Sequence, residues 1–328
     1  MSSRAWWTIL ILCVLMVGAV ALRMLIGGGG LAWPDDPTIK ALRLDRTLAG
    51  LIVGAGVGLS GVLLQALLRN PLASPDILGL ASGAGLGVML SFYLGFAAGY
   101  GAMPLLGRIG PAIVGSTATL GLVYLLSRRR GIVEPVAMVL VGVIVAILAG
   151  AGTQLLRHLM PDRGLEASRW LVGALPDDLP AWQLWTGAGV TAACLVVAVM
   201  LGRQMDAASL SDDEALSLGV HVRRLRTLLF VMSGVLAAIT VVIAGPIGFV
   251  GLVCPHVVRL AAGPAHRPLV VGSALAGGTL VVLADVLIRA IPTTAGRIPL
   301  GVLTTIIGGP VFIVLLRREL ADASRRSG

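Results

Sequence analysis

Lysine, cysteine and acidic residues are all scarce in this chain, and each scarcity closes off a class of activity. The only lysine is Lys40, in Thr38-Ile39-Lys40-Ala41-Leu42, with no glycine loop around it. A phosphate-cradling Walker loop needs a lysine directly before Ser or Thr, so the chain does not hydrolyse ATP by that route. The three cysteines, Cys13, Cys194 and Cys254, stand in separate apolar runs, which argues against a disulfide framework and against a metal cluster. The four histidines are scattered as well. His256, two residues from Cys254, points to a different helix face and reads as a buried structural side chain. With no paired acid and base and no ligand spacing, neither a catalytic site nor a bound metal or cofactor is expected. No module for DNA or RNA is present either, so the formal charge of +9 reflects the topology of the chain.

What fills the chain is apolar length. Charged residues are 12% and apolar residues 57%, against roughly 25% charged in a soluble domain. Charge-free runs cover Ala5–Leu22, Thr47–Leu68, Ile77–Gly107, Ile109–Ser127, Pro135–Leu156, Leu179–Gly202, Thr227–Val258, Pro268–Ala284 and Ile298–Leu316. About 20 residues of helix cross the hydrocarbon. The pattern predicts an all-α polytopic membrane protein of about ten transmembrane helices, forming one domain over residues 1–328. The first run has no small-residue cleavage site before Arg23 and reads as the first span, not as a removed signal peptide.

Thr227–Val258 decides the count. It is too long for one comfortable crossing, and Gly245-Pro246-Ile247-Gly248 in its middle is a turn signal. If it crosses twice, both termini share a face with Arg4, Arg69, Arg128–Arg130, Arg203, Arg223, Arg224, Arg226, Arg259, Arg267, Arg317, Arg318, Arg325 and Arg326. Lys and Arg favour the cytoplasm, so ten spans with both termini inside is the expected topology.

Gly54 to Gly61 reads GAGVGLSG, a G-x-G-x-x-G match to a dinucleotide-binding turn. That turn needs a strand before it and an acid about 20 residues on. The glycines instead sit inside the charge-free run Thr47–Leu68, and Asn70-Pro71 interrupts the chain before the first acid, Asp76. Gly50, Gly54 and Gly58 recur at every fourth position, and Gly61 and Gln65 continue the stripe. Small residues at that spacing let helices approach closely in lipid, so these glycines are expected to pack helices.

Two places outside the spans stand out. Arg43, Arg46, Arg289 and Arg297 lie on the face opposite the dense clusters. Local ion pairs are one reading, with Asp45 between the first two and Asp285 four residues before Arg289. A basic rim that docks an acidic protein surface is the other. On the cytoplasmic side, the loop at about 203–226 holds Ser211-Asp212-Asp213-Glu214, a capping box. Ala215-Leu216-Ser217-Leu218 continues it, and Gly219 is a natural left-handed stop before Val220. Both caps on so short a segment point to a docking helix for a partner.

Several blocks resemble one family. They are Arg43-Leu44-Asp45-Arg46-Thr47-Leu48, Gly61 to Gly87, Arg169-Trp170-Leu171-Val172-Gly173, Glu214 to Val220, Gly245 to Leu260 and Ile298 to Arg317. In this order they resemble the permeases of bacterial ABC importers for iron–siderophore complexes, haem and cobalamin, with similarity over nearly the whole length. The resemblance implies a type II importer permease in the plasma (inner) membrane. It implies a second permease chain, with a homodimer leading and a heterodimer open, two ATP-binding cassette subunits using ATP and Mg, and a solute-binding protein outside. By the same resemblance, Arg43, Arg46 and Arg289 meet carboxylates of the binding protein, and Ser211 to Val220 seats in the ATPase groove. Asp45 departs from the proline usual between the two arginines. Ser74 stands where an acid is common, Cys254 replaces an aliphatic, and Arg297 falls where an acidic or polar residue is more usual.

The implied mechanism is alternating access, with ATP hydrolysed in the partner subunits. Ferric siderophore leads as cargo, ahead of haem and cobalamin. The rival from another class is an ion-gradient-driven transporter, which wants inverted repeats and a buried acid or histidine relay.

Overall fold

Proline, glycine and short polar caps set where the helices begin and end. The computed structural model describes residues 2–27, 30–99, 109–129, 132–160, 172–177, 179–291 and 298–327. Among these, eleven helices follow in order: α1 (Ser3–Leu25), α2 (Pro37–Leu68), α3 (Leu80–Ala97), α4 (Ile109–Leu126), α5 (Pro135–His158), α6 (Ala181–Ala208), α7 (Asp212–Ser217), α8 (Val222–Ala244), α9 (Val250–Ala262), α10 (His266–Ala290) and α11 (Leu300–Ser327). A 3₁₀ turn, Pro75–Leu78, precedes α3, and two hairpins of two-residue strands join α1 to α2 and α4 to α5. Pro37 opens α2 behind Asp36, whose carboxylate accepts the Thr38 amide at 2.7 Å. Pro135 opens α5. Proline is tolerated at these positions because first-turn amides have no intrahelical acceptor.

Among the described residues, seven helices are long and apolar enough to cross a membrane: α1, α2, α3, α5, α6, α8 and α10. Three shorter apolar helices, Gly110–Leu126, Val250–Ala262 and Leu300–Val314, join them. Seven and three make ten apolar helices among the described residues, in approximate agreement with the ten spans expected and with one modification. The run Thr227–Val258 does not divide into two full crossings. Gly245, at φ +69°, ends α8, and α9 has only 13 residues, a rise of about 20 Å against a hydrocarbon core of about 30 Å. The break at 245–249 is held by protein: the Ala174 amide donates to the Ala244 carbonyl at 2.7 Å, and Ile247 is buried. Irregular backbone at membrane depth survives only when buried in this way or facing water. The loop expected at about 203–226 is also shorter than the charge pattern suggests, because α6 continues through Arg203 to Ala208 and α8 resumes at Val222.

Burial sorts the helices. The most apolar window of α2 is 72% buried, that of α1 only 17%. So α2 is the central post, and α1 turns Trp6, Ile11, Val14 and Val17 outward. The hydroxyls of Ser60 on α2 and Ser233 on α8 donate to each other's carbonyls at 2.8 and 3.1 Å, with their oxygens 2.9 Å apart. Every polar group in that contact is therefore satisfied.

Candidate functional site

One face of α2 carries Arg46, Gly50, Gly54 and Gly58 against α10, and continues with Gly61 and Gln65 against α9. A Cβ on Gly54 would collide with the Gly277 carbonyl, one on Gly58 with the Ser273 carbonyl, and one on Gly61 with the Gly251 carbonyl of α9. Gly50 sits against Val282 and Val281. The absence of side chains is what lets the backbones come this close. One turn beyond Gly50, the same register brings Arg46 against Asp285. Its Nε and Nη2 donate to Oδ1 at 2.9 and 2.7 Å. The close-packed glycines and the buried ion pair thus lie in one register along the same two helices.

Other segments join that pair. Arg23, in the last turn of α1 and 1% exposed, donates from Nε to Asp285 Oδ2 at 2.6 Å and from Nη1 to the Ile26 carbonyl at 3.3 Å. Its buried Nη2 has no hydrogen-bond partner among the described residues. Asp177, from the segment before α6, accepts Arg46 Nη1 at 2.6 Å and Arg289 Nη2 at 2.7 Å on one oxygen. Arg289 also lies 3.6 Å from Asp285. Arg43 turns aside, donating to the Met24 and Ala32 carbonyls at 2.6 and 3.1 Å. Charges this far from water persist because they are paired. Of these carboxylates, only Asp177 is open to solvent, with its side chain 54% exposed.

At the other end of the bundle stands α7. The separation follows from α6, which starts four residues after Asp177 and ends three before Ser211; its 28 residues rise about 42 Å. The capping box closes in both directions. Ser211 Oγ accepts the Glu214 amide at 3.2 Å, and Glu214 Oε2 accepts the Ser211 amide at 2.9 Å and hydroxyl at 2.7 Å. Those Ser211 donors hold the Glu214 carboxyl below its ordinary range. Gly219 takes φ +80°, and the Val220 amide returns to the Ala215 carbonyl at 2.9 Å. Ala215 and Val220 pack inward, while Leu216 and Leu218 are 57% and 63% exposed. Asp212 is clamped by Arg69 at the end of α2 and by Arg226 in α8, and Asp213 lies in the acidic first turn.

Arg43, Arg46 and Arg289 therefore lie at one end of the bundle, and Ser211 to Val220 form one unit at the other. Asp45 pairs with neither neighbouring arginine; the carboxylates on Arg46 come from Asp285 and Asp177. Arg23 and Asp177 escaped sequence reasoning. Arg23 looked like the charge that closes the first span, and no local spacing links it to a residue 262 positions away. Arg297 and Arg169–Leu171 lie outside the described residues. Cys254 and His256 are buried in α9.

Apolar helices with a charge cluster at one end and a capped helix with exposed leucines at the other have the build of a multi-pass membrane transport subunit. The chain belongs to the FecCD transport family, whose model matches residues 4–318. It is 35% identical over 287 residues to the hemin transport system permease protein HmuU of Yersinia pestis, covering 86% of this chain and 84% of that one. It is 36% identical over 313 residues to the cobalamin import system permease protein BtuC of Halobacterium salinarum, covering 88% and 80%. Among solved structures, it matches one described as an inward-facing conformation of a metal-chelate type ABC transporter. That match has a TM-score of 0.81 and 30% identity, and covers 95% of this chain and 99% of the other. The chain is thus an ABC transporter permease, a transport subunit and not an enzyme.

Proposed function

We propose that this chain is the membrane permease of an ATP-driven importer for a ferric siderophore or a similar metal chelate. In this reading it works as one of two permease chains, a homodimer first. Two ATP-binding cassette subunits bind α7 in the cytoplasm and supply ATP and Mg chemistry, and a solute-binding protein delivers cargo to the Arg43, Arg46 and Arg289 end. Both chain termini then lie in the cytoplasm of a bacterial inner membrane. The observation that carries the reading is α7, a short helix capped at both ends that holds Leu216 and Leu218 out of the bundle. Such a helix is built for a partner, and its clamps through Asp212 to α2 and α8 give partner motion a rigid route into the spans. The glycine contacts of α2 with α10 are the packing that must shift as access alternates.

A second cargo reading has its own support. Relatives of this chain carry the names of hemin and cobalamin permeases, so haem or cobalamin is tested beside ferric siderophores. The experiment is uptake into vesicles that hold the permease with its ATPase subunits, fed by the binding protein loaded with each chelate in turn. Import that needs ATP, and that falls when Leu216 and Leu218 become aspartate, supports the reading. Uphill uptake by this chain alone on a proton gradient overturns it in favour of a secondary transporter.

A further inference from the structure

Two arginine clusters far apart in sequence meet in the fold. A cavity of about 500 Å³ opens between the end of α4 and the start of α8, lined by Tyr124, Arg128, Arg223, Arg224, Leu228 and Val231 among others. The Arg128 guanidinium lies over the Tyr124 ring, 5.7 Å from its centroid. No acid pairs with Arg128, Arg223 or Arg224 among the described residues, whereas Arg226, in the same turn of α8, is held by Asp212 at 3.0 Å. Among the described residues, the cavity therefore has a basic end without a paired acid.

Apart from Thr227, its other walls are Tyr124, Leu228 and Val231, and the apolar surface continues along the bundle. Leu228, Val231 and Val235 form an exposed stripe on α8, and Leu122, Leu125 and Leu126 are exposed on α4. Spacings of three and four residues keep the α8 stripe on one face. The basic end lies beside α7, where a span leaves the membrane, and the stripe runs from it toward the hydrocarbon. A free anion would use the arginines and leave the apolar walls unexplained. A purely apolar ligand would leave three cations unpaired.

We propose that this cavity binds an anionic phospholipid of the cytoplasmic leaflet. Arg128, Arg223 and Arg224 would take the phosphate oxygens, and an acyl chain would lie against Leu228 and Val231. Arginine suits the task because its planar fork presents paired donors to phosphate. Basic pockets between spans at the cytoplasmic surface are a recurrent build for anionic lipid headgroups. The proposal rests on the orientation in which α7 faces the cytoplasm, but not on the cargo or on the ATPase subunits.

The test uses the purified full-length permease in mild detergent, titrated with phosphatidylglycerol, cardiolipin or phosphatidylethanolamine, with retained lipid counted by native mass spectrometry. Wild type is expected to retain the two anionic lipids in preference to the zwitterionic one. At about a factor of five per arginine near an anionic surface, each single Arg→Gln change weakens retention about fivefold, and the triple change roughly a hundredfold. Arg203→Gln, an exposed arginine on α6 outside the cavity, is expected to leave retention near wild type. Equal retention of all three lipids, or an Arg203→Gln loss as large as that of the single cavity changes, overturns the site. So does competition by millimolar inorganic phosphate as strong as that by the lipid, which would make it a plain anion site. A triple variant that retains lipid like wild type but no longer co-purifies with an ATPase subunit assigns the arginines to a protein contact and also overturns it. The single variants carry the test if the triple variant is poorly folded, and ATPase co-purification, measured separately, tells this failure from failure of the transport reading.

Discussion

The two ends of the bundle are built on opposite principles. The α7 end is local: cap, helix and stop occupy consecutive residues, and the bonds that define them span three to five positions. The opposite end is assembled from α1, α2, α10 and the segment before α6, with partners up to 262 residues apart. A local device keeps its shape while it moves against a partner. A buried multi-helix cluster fixes how the spans sit together, and its carboxylate at the surface is Asp177. Under the proposed function this division is useful: the end that receives ATPase motion is a stiff handle, and the end that meets the binding protein is a lock with one pin at the surface.

The contrast between the ends can be broken most severely at the buried cluster. Asp285→Ala leaves Arg23 buried without its carboxylate and Arg46 with Asp177 alone, and removing one partner from a buried pair costs about 3–5 kcal/mol. Thermal unfolding of the purified chain should show a deeper loss for this change than for substitutions in the glycine stripe, in α7 or at Asp177. Wild-type stability would mean that the cluster does not hold the helices together.

Gly54→Leu comes next. The new side chain meets the Gly277 carbonyl, and overpacking of this kind costs about 1–3 kcal/mol. Because the same helix pair also aligns Arg46 with Asp285, the further loss in an Asp285→Ala background should be smaller than in wild type, leaving the steric share alone. Simple additivity of the two losses would separate stripe from cluster.

Ser211→Ala removes the N-terminal cap of α7, a loss of about 1 kcal/mol confined to that helix. Amide exchange should accelerate from Ala215 to Val220 while α2 and α10 stay protected. If protection falls across the bundle, α7 is not an independent handle.

Asp177→Asn tests the pin. Its side chain is 54% exposed, so stability should change by less than about 1 kcal/mol; under the proposed docking, affinity for the binding protein rises several-fold, because an incoming carboxylate would no longer compete with Asp177 for Arg46 and Arg289. Surface plasmon resonance against the permease in nanodiscs reads this directly, and weaker docking would assign Asp177 to the interface itself.

The smallest effect is that of pH on α7. Glu214 has its folded pKa lowered by the Ser211 amide and hydroxyl. A depressed acid contributes stability that is fully present above its unfolded value, about 4.3, and is lost as pH falls through the lower folded value. Exchange rates in α7, corrected for intrinsic pH dependence, should stay flat from pH 7 to about 5 and rise only below that. A change near pH 6 would point to another group.

How much was legible in the sequence follows the same division. The capping box, Gly219 and the glycine stripe are periodic or contiguous signals, so composition and spacing reached them. The half-length α9 was not legible: a charge-free run does not tell how far each helix inside it extends, and the break at 245–249 depends on the Ala174 amide reaching back to Ala244. Arg46 and Arg289 stood out as basic residues on the less basic face, but that Asp285 and Asp177 enclose them was invisible. Asp45, one residue away in sequence, is not their partner.

By itself the sequence determined that the chain lives in lipid, that it has about ten apolar helices, and that a capped turn interrupts them, because hydrocarbon length and helix-end chemistry are read from neighbours in the chain. Only the tertiary structure decided which charges are buried together, which arginines meet around a cavity, and which crossing is cut short. Those depend on how closely two helices approach and in what register, and that approach is set by small residues on both partners at once.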